Sequence, residues 1–258
     1  MEKYPRFITF KSEPFDPLEL AGETERIVTR KGPDGLERKY VDIYSVPVYR
    51  GIATGYAVGC CLRCIYCWTN WSRDFPEKYG KFYSPKELAQ RLFRAAEDGV
   101  KRWKSYRKIK VNKLRISGSE PTLGKDHLLS VLKFVKDSKY SLFILETNGI
   151  LLGADRNYVS QLAEFAEKLY VRVSFKAATP EGFTQRTGAI GKFFKLPFKA
   201  LEYLLDEEID ARAAAMTDPK TMPKEERQIL IKKLDKIDPS ANYSLTLEEE
   251  SMDAYEQH

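Results

Sequence analysis

The chain has 258 residues, of which 43% are hydrophobic and 31% are charged, and its formal net charge at pH 7 is +6. This length suits one domain of α/β-barrel size or two small ones, and no apolar run approaches the ~20 residues of a transmembrane helix. The first residues also lack the basic and apolar regions of a signal peptide. We therefore expect a cytoplasmic protein without a membrane partner, and a monomer.

The first 50 residues are predicted to form an N-terminal extension built as a β-hairpin. Residues 25–30 and 38–49 have β-like sequences, and Gly32-Pro33-Asp34-Gly35 between them is typical of a turn. We expect this hairpin to lie against a main domain that spans residues 51–248.

From residue 51 onward, short apolar runs alternate with amphipathic segments, the pattern of repeated β–α units around a parallel sheet. Ser84, Pro85 and Glu87 form a capping box with proline at the first helical position, and Gly99 is expected to end that helix. Further helices are predicted over residues 126–137 and 156–168, in a broken region over 180–205, and from 223. Strands are predicted over residues 52–58, 113–117, 142–146, 170–175, 211–216 and 243–247.

Six such units predict an α/β fold, a partial (β/α)6 barrel that is TIM-like but open on one side, with the N-terminal β-hairpin as an extension. Residues 249–258 are expected to form a frayed acidic tail. The carboxyl ends of parallel strands face one rim, where sites are assembled. The motifs that follow the first four strands should therefore converge in space.

Cys60, Cys64 and Cys67 form the pattern C-x3-C-x2-C on the loop after the first strand. Three thiolates on one loop can bind three irons of a four-iron cluster and leave the fourth iron free for another molecule. A structural zinc site or an electron-transfer cluster fills every coordination position instead. Cys61 is expected to point elsewhere, but a closed zinc or iron site remains an alternative. His127 is expected on a helix surface.

With Tyr66 before the last cysteine, the loop carries the motif C-x3-C-x-aromatic-C, which resembles that of the radical S-adenosyl-L-methionine (SAM) superfamily. The resemblance implies a 4Fe-4S cluster whose open iron binds the amino and carboxylate groups of SAM. It also implies that an electron from the cluster cleaves SAM to a 5′-deoxyadenosyl radical, which takes a hydrogen atom from the substrate. Tyr66 would then lie near the adenine.

A second stretch, Gly118-Ser119-Glu120-Pro121, is similar to the Gly-Gly-Glu-Pro motif of the same superfamily. The resemblance implies that Gly118, Ser119 and Glu120 hold the methionyl amino group of SAM. Glycine allows a close backbone approach, and a carboxylate complements an ammonium group. Ser119 departs from the family's second glycine. Taken by itself, the stretch favours an ordinary turn from strand to helix; taken with the cysteines, it favours SAM binding.

The segment Glu146-Thr147-Asn148-Gly149 resembles the Asp-Thr-Asn-Gly segment of the glycyl-radical (pyruvate formate-lyase type) activating enzymes. The resemblance places Glu146, Thr147 and Asn148 near the SAM carboxylate. Glu146 is one carbon longer than the aspartate of those enzymes. The ordinary alternative is an Asn-Gly turn that ends a strand.

The segment Ser174-Phe175-Lys176, at the end of the fourth strand, resembles the polar-x-Lys pair of the activating enzymes. The resemblance implies that Lys176 neutralises the SAM carboxylate, with Ser174 in the same site where those enzymes usually have aspartate. Met216, at the end of the fifth strand, is a candidate to pack against the adenine. A solvated lysine and an ordinary barrel-rim methionine are the alternatives.

These resemblances identify the chain as a radical SAM enzyme of the oxidoreductase or activating-enzyme type. An activating enzyme abstracts hydrogen from a backbone glycine of a partner protein, and needs a reducing donor such as a flavodoxin or ferredoxin. The alternative within the superfamily is a tRNA- or other RNA-modifying enzyme, for which the basic run over residues 101–110 would contact phosphates. The non-enzyme alternative is a metal-binding module with structural cysteines.

Overall fold

The computed structural model describes residues 4–9, 11–47, 50–103 and 111–252. In these residues, helices surround one sheet of nine strands. The strands are β1 (Thr29–Gly32), β2 (Gly35–Val46), β3 (Ile52–Ala57), β4 (Lys81–Tyr83), β5 (Lys113–Gly118), β6 (Leu142–Thr147), β7 (Leu169–Phe175), β8 (Asp210–Met216) and β9 (Glu248–Glu250).

The helices follow most of the predicted pattern. The helix over 156–168 continues as a 3-10 segment (Ala163–Lys168), and the broken region over 180–205 consists of two helices around another 3-10 segment (Gly191–Lys195). No helix in the described part of the chain is long and apolar enough to cross a bilayer. The helices are α1 (Pro17–Val28), α2 (Asn70–Asp74), α3 (Pro85–Trp103), α4 (Lys125–Lys136), α5 (Ile150–Ala154), α6 (Arg156–Leu162), α7 (Pro180–Thr187), α8 (Leu196–Asp206), α9 (Lys224–Ile237) and α10 (Tyr243–Thr246).

The sheet confirms the predicted partial barrel. Its strand order is β1-β2-β3-β5-β6-β7-β8-β9, with β4 paired to β2. Neighbours from β3 to β9 are parallel, whereas the pairs at the β1–β3 end are antiparallel. Strands β1 and β9 lie at opposite ends of this order, so the barrel is open. The six parallel strands place their carboxyl ends on one rim.

The N-terminal hairpin is confirmed, with Gly32 opposite Gly35 at its turn. Its second strand β2 pairs with β3, so the hairpin continues the main sheet. The β-like prediction for residues 25–28 is wrong, because these residues end helix α1. The side chain of Asp16 caps this helix through the amides of Leu18 (2.8 Å) and Glu19 (3.3 Å). Asp16-Pro17 is a helix-start signal that the β-like pattern obscured.

The predicted sixth strand is displaced by a few residues. Residues 243–246, predicted as strand, form the helical turn α10, and the sixth parallel strand is β9. The expected acidic tail therefore begins inside the sheet. Glu249 is bound on one side of β9 by Arg227 (2.7 Å), and Glu248 on the other by Arg172 (2.5 Å). These arginines stabilise a glutamate run that has no β propensity of its own.

The predicted capping box of α3 is confirmed. Ser84 N donates to Glu87 Oε2 at 2.9 Å, and Glu87 N donates to Ser84 Oγ at 3.2 Å. The helix does not end at Gly99 as expected but continues to Trp103. A Cβ atom on Gly99 would lie 2.5 Å from Ser45 Oγ. This glycine therefore lets α3 pack closely on β2.

The two faces of the parallel sheet carry different side chains. In β7, Val171, Val173 and Phe175 are buried in the core against the helices, whereas Arg172 and Ser174 alternate with them and are half-buried. Side chains along a strand alternate between faces, so Arg172 and Ser174 share one face. We call this side, which also carries the functional pocket described next, the inner face.

Candidate functional site

The loop after β3 brings three of the four cysteines to one pocket. Cys60, Cys64 and Cys67 line this pocket, which holds about 770 Å³ including its open mouth. Cys61 is fully buried and is not among the lining residues in the described part of the chain. Cys61 therefore does not line the pocket, although its thiol lies beside that of Cys60 and Asn148 Nδ2 approaches both sulfur atoms.

Several hydrogen-bond donors approach the sulfur atoms of the loop. Cys60 Sγ accepts from Leu62 N at 3.4 Å and from Asn148 Nδ2 at 3.5 Å. Cys67 Sγ lies 3.2 Å from Thr69 Oγ1. Donors aimed at sulfur stabilise thiolates and influence the reduction potential of a bound iron–sulfur cluster.

The thiols of this loop are better suited to bind a metal cluster than to remain as free cysteines. Burial raises the pKa of the Cys64 thiol to about 12, so a thiolate there needs the positive charge of a bound metal. A hydrogen bond from Cys61 is the main cause that lowers the pKa of Cys60. Within the described ranges, no three His, Cys, Asp or Glu side chains are grouped to hold a single metal ion. A four-iron cluster instead offers a separate iron to each of three thiolates.

A buried charged triad fixes the backbone of the cysteine loop. The carboxylate of Asp74 receives Arg73 Nε at 2.6 Å and Nη2 at 2.8 Å, and lies 3.5 Å from Arg63 Nε. Arg63 Nη1 donates to the carbonyl of Cys60 at 2.8 Å, and Arg73 Nη1 donates to that of Cys64 at 2.7 Å. None of the three side chains of the triad exceeds 7% exposure. The positive charges of the two arginines favour thiolates in the loop, that of Arg63 at Cys60 and that of Arg73 at Cys64.

The turn after β5 is docked on the cysteine loop. Ser119 N donates to Ala57 O at 3.3 Å, and Glu120 N donates to Gly59 O at 2.9 Å. Gly118 has φ +103°, and a Cβ atom there would lie 3.0 Å from Ala57 O, so this position needs glycine. Ser119 has no positive φ, which explains why serine is accepted in place of a second glycine.

The carboxylate of Glu120 joins the turns that follow β5 and β6. It is 1% exposed and accepts from Thr147 Oγ1 at 2.7 Å and from Asn148 N at 2.8 Å. It also accepts from the amide and hydroxyl of Thr122, at 3.1 and 2.6 Å. Four donors of the chain thus surround this carboxylate. Glu120, Thr147 and Asn148 all line the pocket.

Glu146 lies on the inner face at the end of β6 and also lines the pocket. Arg115 Nη1 donates to its carboxylate at 3.1 Å, and the Ser117 hydroxyl forms a second hydrogen bond with it. Arg115 Nε in turn donates to Thr54 Oγ1 at 3.1 Å. The carboxylate is therefore held on the wall of the pocket by neighbouring strands.

Ser174, Lys176 and Tyr66 lie close to one another in the pocket. Lys176 Nζ donates to Ser174 Oγ at 2.5 Å and lies 5.8 Å from the centroid of the Tyr66 ring. Arg186 Nε donates to the Lys176 carbonyl at 2.6 Å, which fixes the strand end. All three predicted residues line the pocket, and Lys176 supplies a positive charge near Cys64.

Met216 is the one predicted site residue that the structure does not bring to the pocket, because it is 1% exposed and outside the lining among the described residues. Arg172 and Glu250, which line the pocket, were not predicted. Arg172 Nη2 donates to Glu250 Oε1 at 2.6 Å. Arg172 lies two residues before Ser174, so strand alternation could have identified it.

Two further predictions from the sequence concern His127 and the basic run over residues 101–110. His127 is fully buried rather than on a helix surface, and its Nδ1 donates to the carbonyl of Leu36 at 2.8 Å. The hairpin covers this face of α4, which a helix pattern alone cannot show. Most of the basic run proposed for phosphate contacts, residues 104–110, lies outside the described residues.

Comparisons with known proteins agree with this geometry. A family profile described as the Radical SAM superfamily matches residues 56–234. No curated protein matches the sequence. Among solved structures, the chain is similar to a radical SAM methyltransferase from Sphaerobacter thermophilus, with TM-score 0.55, 10% identity, and coverage of 86% of this chain and 71% of that one.

A second similar structure is SuiB from Streptococcus suis bound to S-adenosylmethionine, with TM-score 0.53 and 17% identity. The match covers 70% of this chain and 36% of SuiB. The chain thus spans just over a third of the length of SuiB. At these identities, both similarities concern the fold.

Proposed function

Because the chain belongs to the radical SAM superfamily, whose enzymes use a 4Fe-4S cluster and SAM, we propose that its pocket performs the chemistry of that family. Cys60, Cys64 and Cys67 hold the cluster, and SAM binds across the ends of β5, β6 and β7. A bound cluster would supply one electron for the reductive cleavage of SAM to methionine and a 5′-deoxyadenosyl radical, which would take one hydrogen atom from the substrate.

One observation carries this proposal: the three cysteines share a single pocket with the residues that follow three neighbouring strands. In it, Gly118 and Ser119 offer backbone at the turn after β5, and Lys176 offers a positive charge after β7. SAM has an ammonium group and a carboxylate, which need partners of this kind. Cys61 is not among the lining residues in the described part of the chain, and three thiolates would leave one iron of a cubic cluster open.

Anaerobic reconstitution of single-cysteine variants tests the ligand assignment. We expect about four irons per chain for the wild type. Substitution of Cys60, Cys64 or Cys67 by alanine should remove most of the iron and the brown colour. Cys61→Ala is the matched control, since it removes a thiol from the same loop, and it should keep the full iron content. Equal iron loss in the Cys61→Ala protein would contradict the assignment.

The SAM site is tested by electron paramagnetic resonance of the reduced protein. Addition of SAM should change the spectrum of the reduced cluster, and 5′-deoxyadenosine and methionine should then accumulate in equal amounts. A colourless, zinc-loaded protein whose properties do not respond to SAM would instead identify a structural metal-binding module and overturn the proposal.

For the substrate, we propose a backbone glycine of a partner protein, as in the glycyl-radical activating enzymes. Two observations support this choice. Two segments resemble those enzymes, and both contribute to the pocket lining, the first with Glu146, Thr147 and Asn148 and the second with Ser174 and Lys176. The sheet is also open between β1 and β9, so the inner face can admit a protein loop. The electron comes from an external donor, as in other radical SAM enzymes.

The substrate proposal is tested with a glycyl-radical enzyme of the pyruvate formate-lyase type, reduced flavodoxin and SAM. Activation should produce a glycine-centred radical signal, with one 5′-deoxyadenosine formed per radical. SAM cleavage without this signal, together with salt-sensitive RNA binding, would favour the RNA-modifying alternative and leave the assignment of cluster and SAM intact.

A further inference from the structure

Arg38 is a fully buried arginine in strand β2 of the N-terminal hairpin. It lies outside the residues that match the superfamily, 56–234. Its guanidinium nevertheless reaches the back of the pocket. Nη2 donates to the carbonyl of Glu120 at 2.7 Å and to that of Val58 at 3.3 Å, and Nη1 donates to that of Pro121 at 3.2 Å.

These three carbonyls belong to the two segments that build the proposed site. Glu120 and Pro121 form the turn after β5, whose glycine and serine face the pocket. Val58 connects β3 to the cysteine loop. One guanidinium therefore joins both segments from the side away from the pocket. Lysine cannot reproduce this arrangement, because its ammonium is a point charge on a flexible stem, whereas arginine has a rigid fork of donors.

The surroundings of Arg38 hold its side chain in one place. A Cβ atom on Gly124 would lie 3.6 Å from Arg38 Cδ, and the Tyr40 ring lies 6.0 Å from the guanidinium carbon. His127 packs against Tyr40, with ring centroids 5.7 Å apart. Burial lowers the pKa of His127 to about 4, so this neighbour is neutral at pH 7 and adds no second buried cation.

A buried arginine with these partners is costly unless its position is needed. Its hydrogen-bond partners among the described residues are backbone carbonyls, which do not offset its charge as a carboxylate does. The chain thus buries a cation where an apolar side chain would fill the same space. A requirement for geometry in the turn after β5 explains this choice.

We propose that Arg38 is a positioning residue for SAM, which holds the turn after β5 in the conformation that binds the methionyl group. This inference rests on the proposed SAM site. The N-terminal hairpin is then part of the site, since it adds hydrogen bonds to this turn from outside the residues that match the family. Arg38 does not itself contact the ligand.

The test compares the affinity for SAM of reconstituted wild-type protein and the Arg38→Lys variant, by anaerobic equilibrium dialysis with labelled SAM. Loss of hydrogen bonds to a charged donor should weaken SAM binding about tenfold or more, with iron content unchanged. Arg30→Lys is the matched control in the same hairpin. Arg30 is 58% exposed and pairs with Glu37, so its substitution should leave the affinity unchanged.

A general loss of stability is separated from positioning by Leu234→Ala, which creates a cavity in α9. It should lower the Tm without changing the affinity for SAM. If Arg38→Lys does not accumulate as folded holoprotein, Arg38→Gln, which keeps one donor and removes the buried charge, takes its place. Affinity within twofold of wild type in the folded variant, or failure of both variants to fold, overturns the inference. Failure of the wild type to bind SAM would overturn the proposed function itself.

Discussion

The two sides of the pocket use charged residues in different ways. Behind the cysteine loop and the turn after β5, Arg38 and Arg63 are fully buried and donate to backbone carbonyls of these segments. On the inner face, Arg172 is 13% exposed and pairs with the carboxylates of Glu248 and Glu250, which are 39% and 27% exposed. The first set fixes backbone, whereas the second presents charge to the pocket.

The two sets of arginines behave differently because they differ in solvent access. Burial by itself lowers the pKa of Arg172, but Glu250 and Glu248 raise it above its usual range, so this arginine stays charged. Its pairs can exchange with water or a ligand because the pocket is open. The buried arginines cannot exchange their partners for water, so removal of one partner leaves an uncompensated charge. The comparison therefore predicts that substitutions behind the cysteine loop lower the free energy of unfolding strongly, and that substitutions on the inner face lower it only slightly.

The largest effect is expected for Asp74→Asn. This change leaves Arg63 and Arg73 without a carboxylate at a site that is at most 7% exposed, so the free energy of unfolding of the metal-free protein should fall by about 3–5 kcal/mol. Urea unfolding followed by circular dichroism measures it. Glu77→Gln is the control, because Glu77 pairs with Arg6 at the surface and should cost less than about 1 kcal/mol. Similar costs for the two variants would remove the distinction between the regions.

The next largest effect is expected from the titration of His127, which makes the free energy of unfolding depend on pH. Burial lowers its pKa to about 4 in the folded protein, below the ordinary value of about 6.5 in the unfolded chain. Between these values the unfolded state binds the extra proton, so stability is lost as pH falls from about 6.5 to about 4, by about 3 kcal/mol in total.

His127→Gln removes this titration and tests its source. The unfolding free energy of the variant should change less than that of the wild type between pH 7 and pH 4.5, when both are measured by urea unfolding. The same pH dependence in both proteins would show that other groups cause the acid sensitivity of the region around Arg38.

The smallest effect is expected on the inner face. Glu248→Gln weakens one pair of Arg172, and Glu250 remains as its partner. Because the Glu248 carboxylate is 39% exposed, the free energy of unfolding should fall by about 1 kcal/mol or less. A loss above about 3 kcal/mol in urea unfolding would mean that β9 depends on this pair as strongly as the cysteine loop depends on Asp74.

Much of the site was predictable because its residues form short local motifs. Cys60, Cys64 and Cys67 lie within eight residues on one loop, so their proximity needs no tertiary information. Gly118 and Lys176 follow strands with clear apolar patterns, and parallel strands place their ends on one rim. Met216 ends such a strand too, and alternation along β8 places it on the face opposite the core residues Ala213 and Ala215. It is nevertheless 1% exposed and outside the pocket lining among the described residues, so strand position alone does not decide whether a side chain reaches the pocket.

The amino-acid sequence by itself determined the parallel β–α order, the three-cysteine loop and the positions of the polar residues that follow β5, β6 and β7. Hydrophobic period and turn chemistry act over a few residues, so these features can be derived locally. The tertiary structure alone decided that Glu248–Glu250 form the last strand and that Arg38 braces the turn after β5. The residues that stabilise them include partners 76 to 83 residues away, and no local pattern contains such contacts.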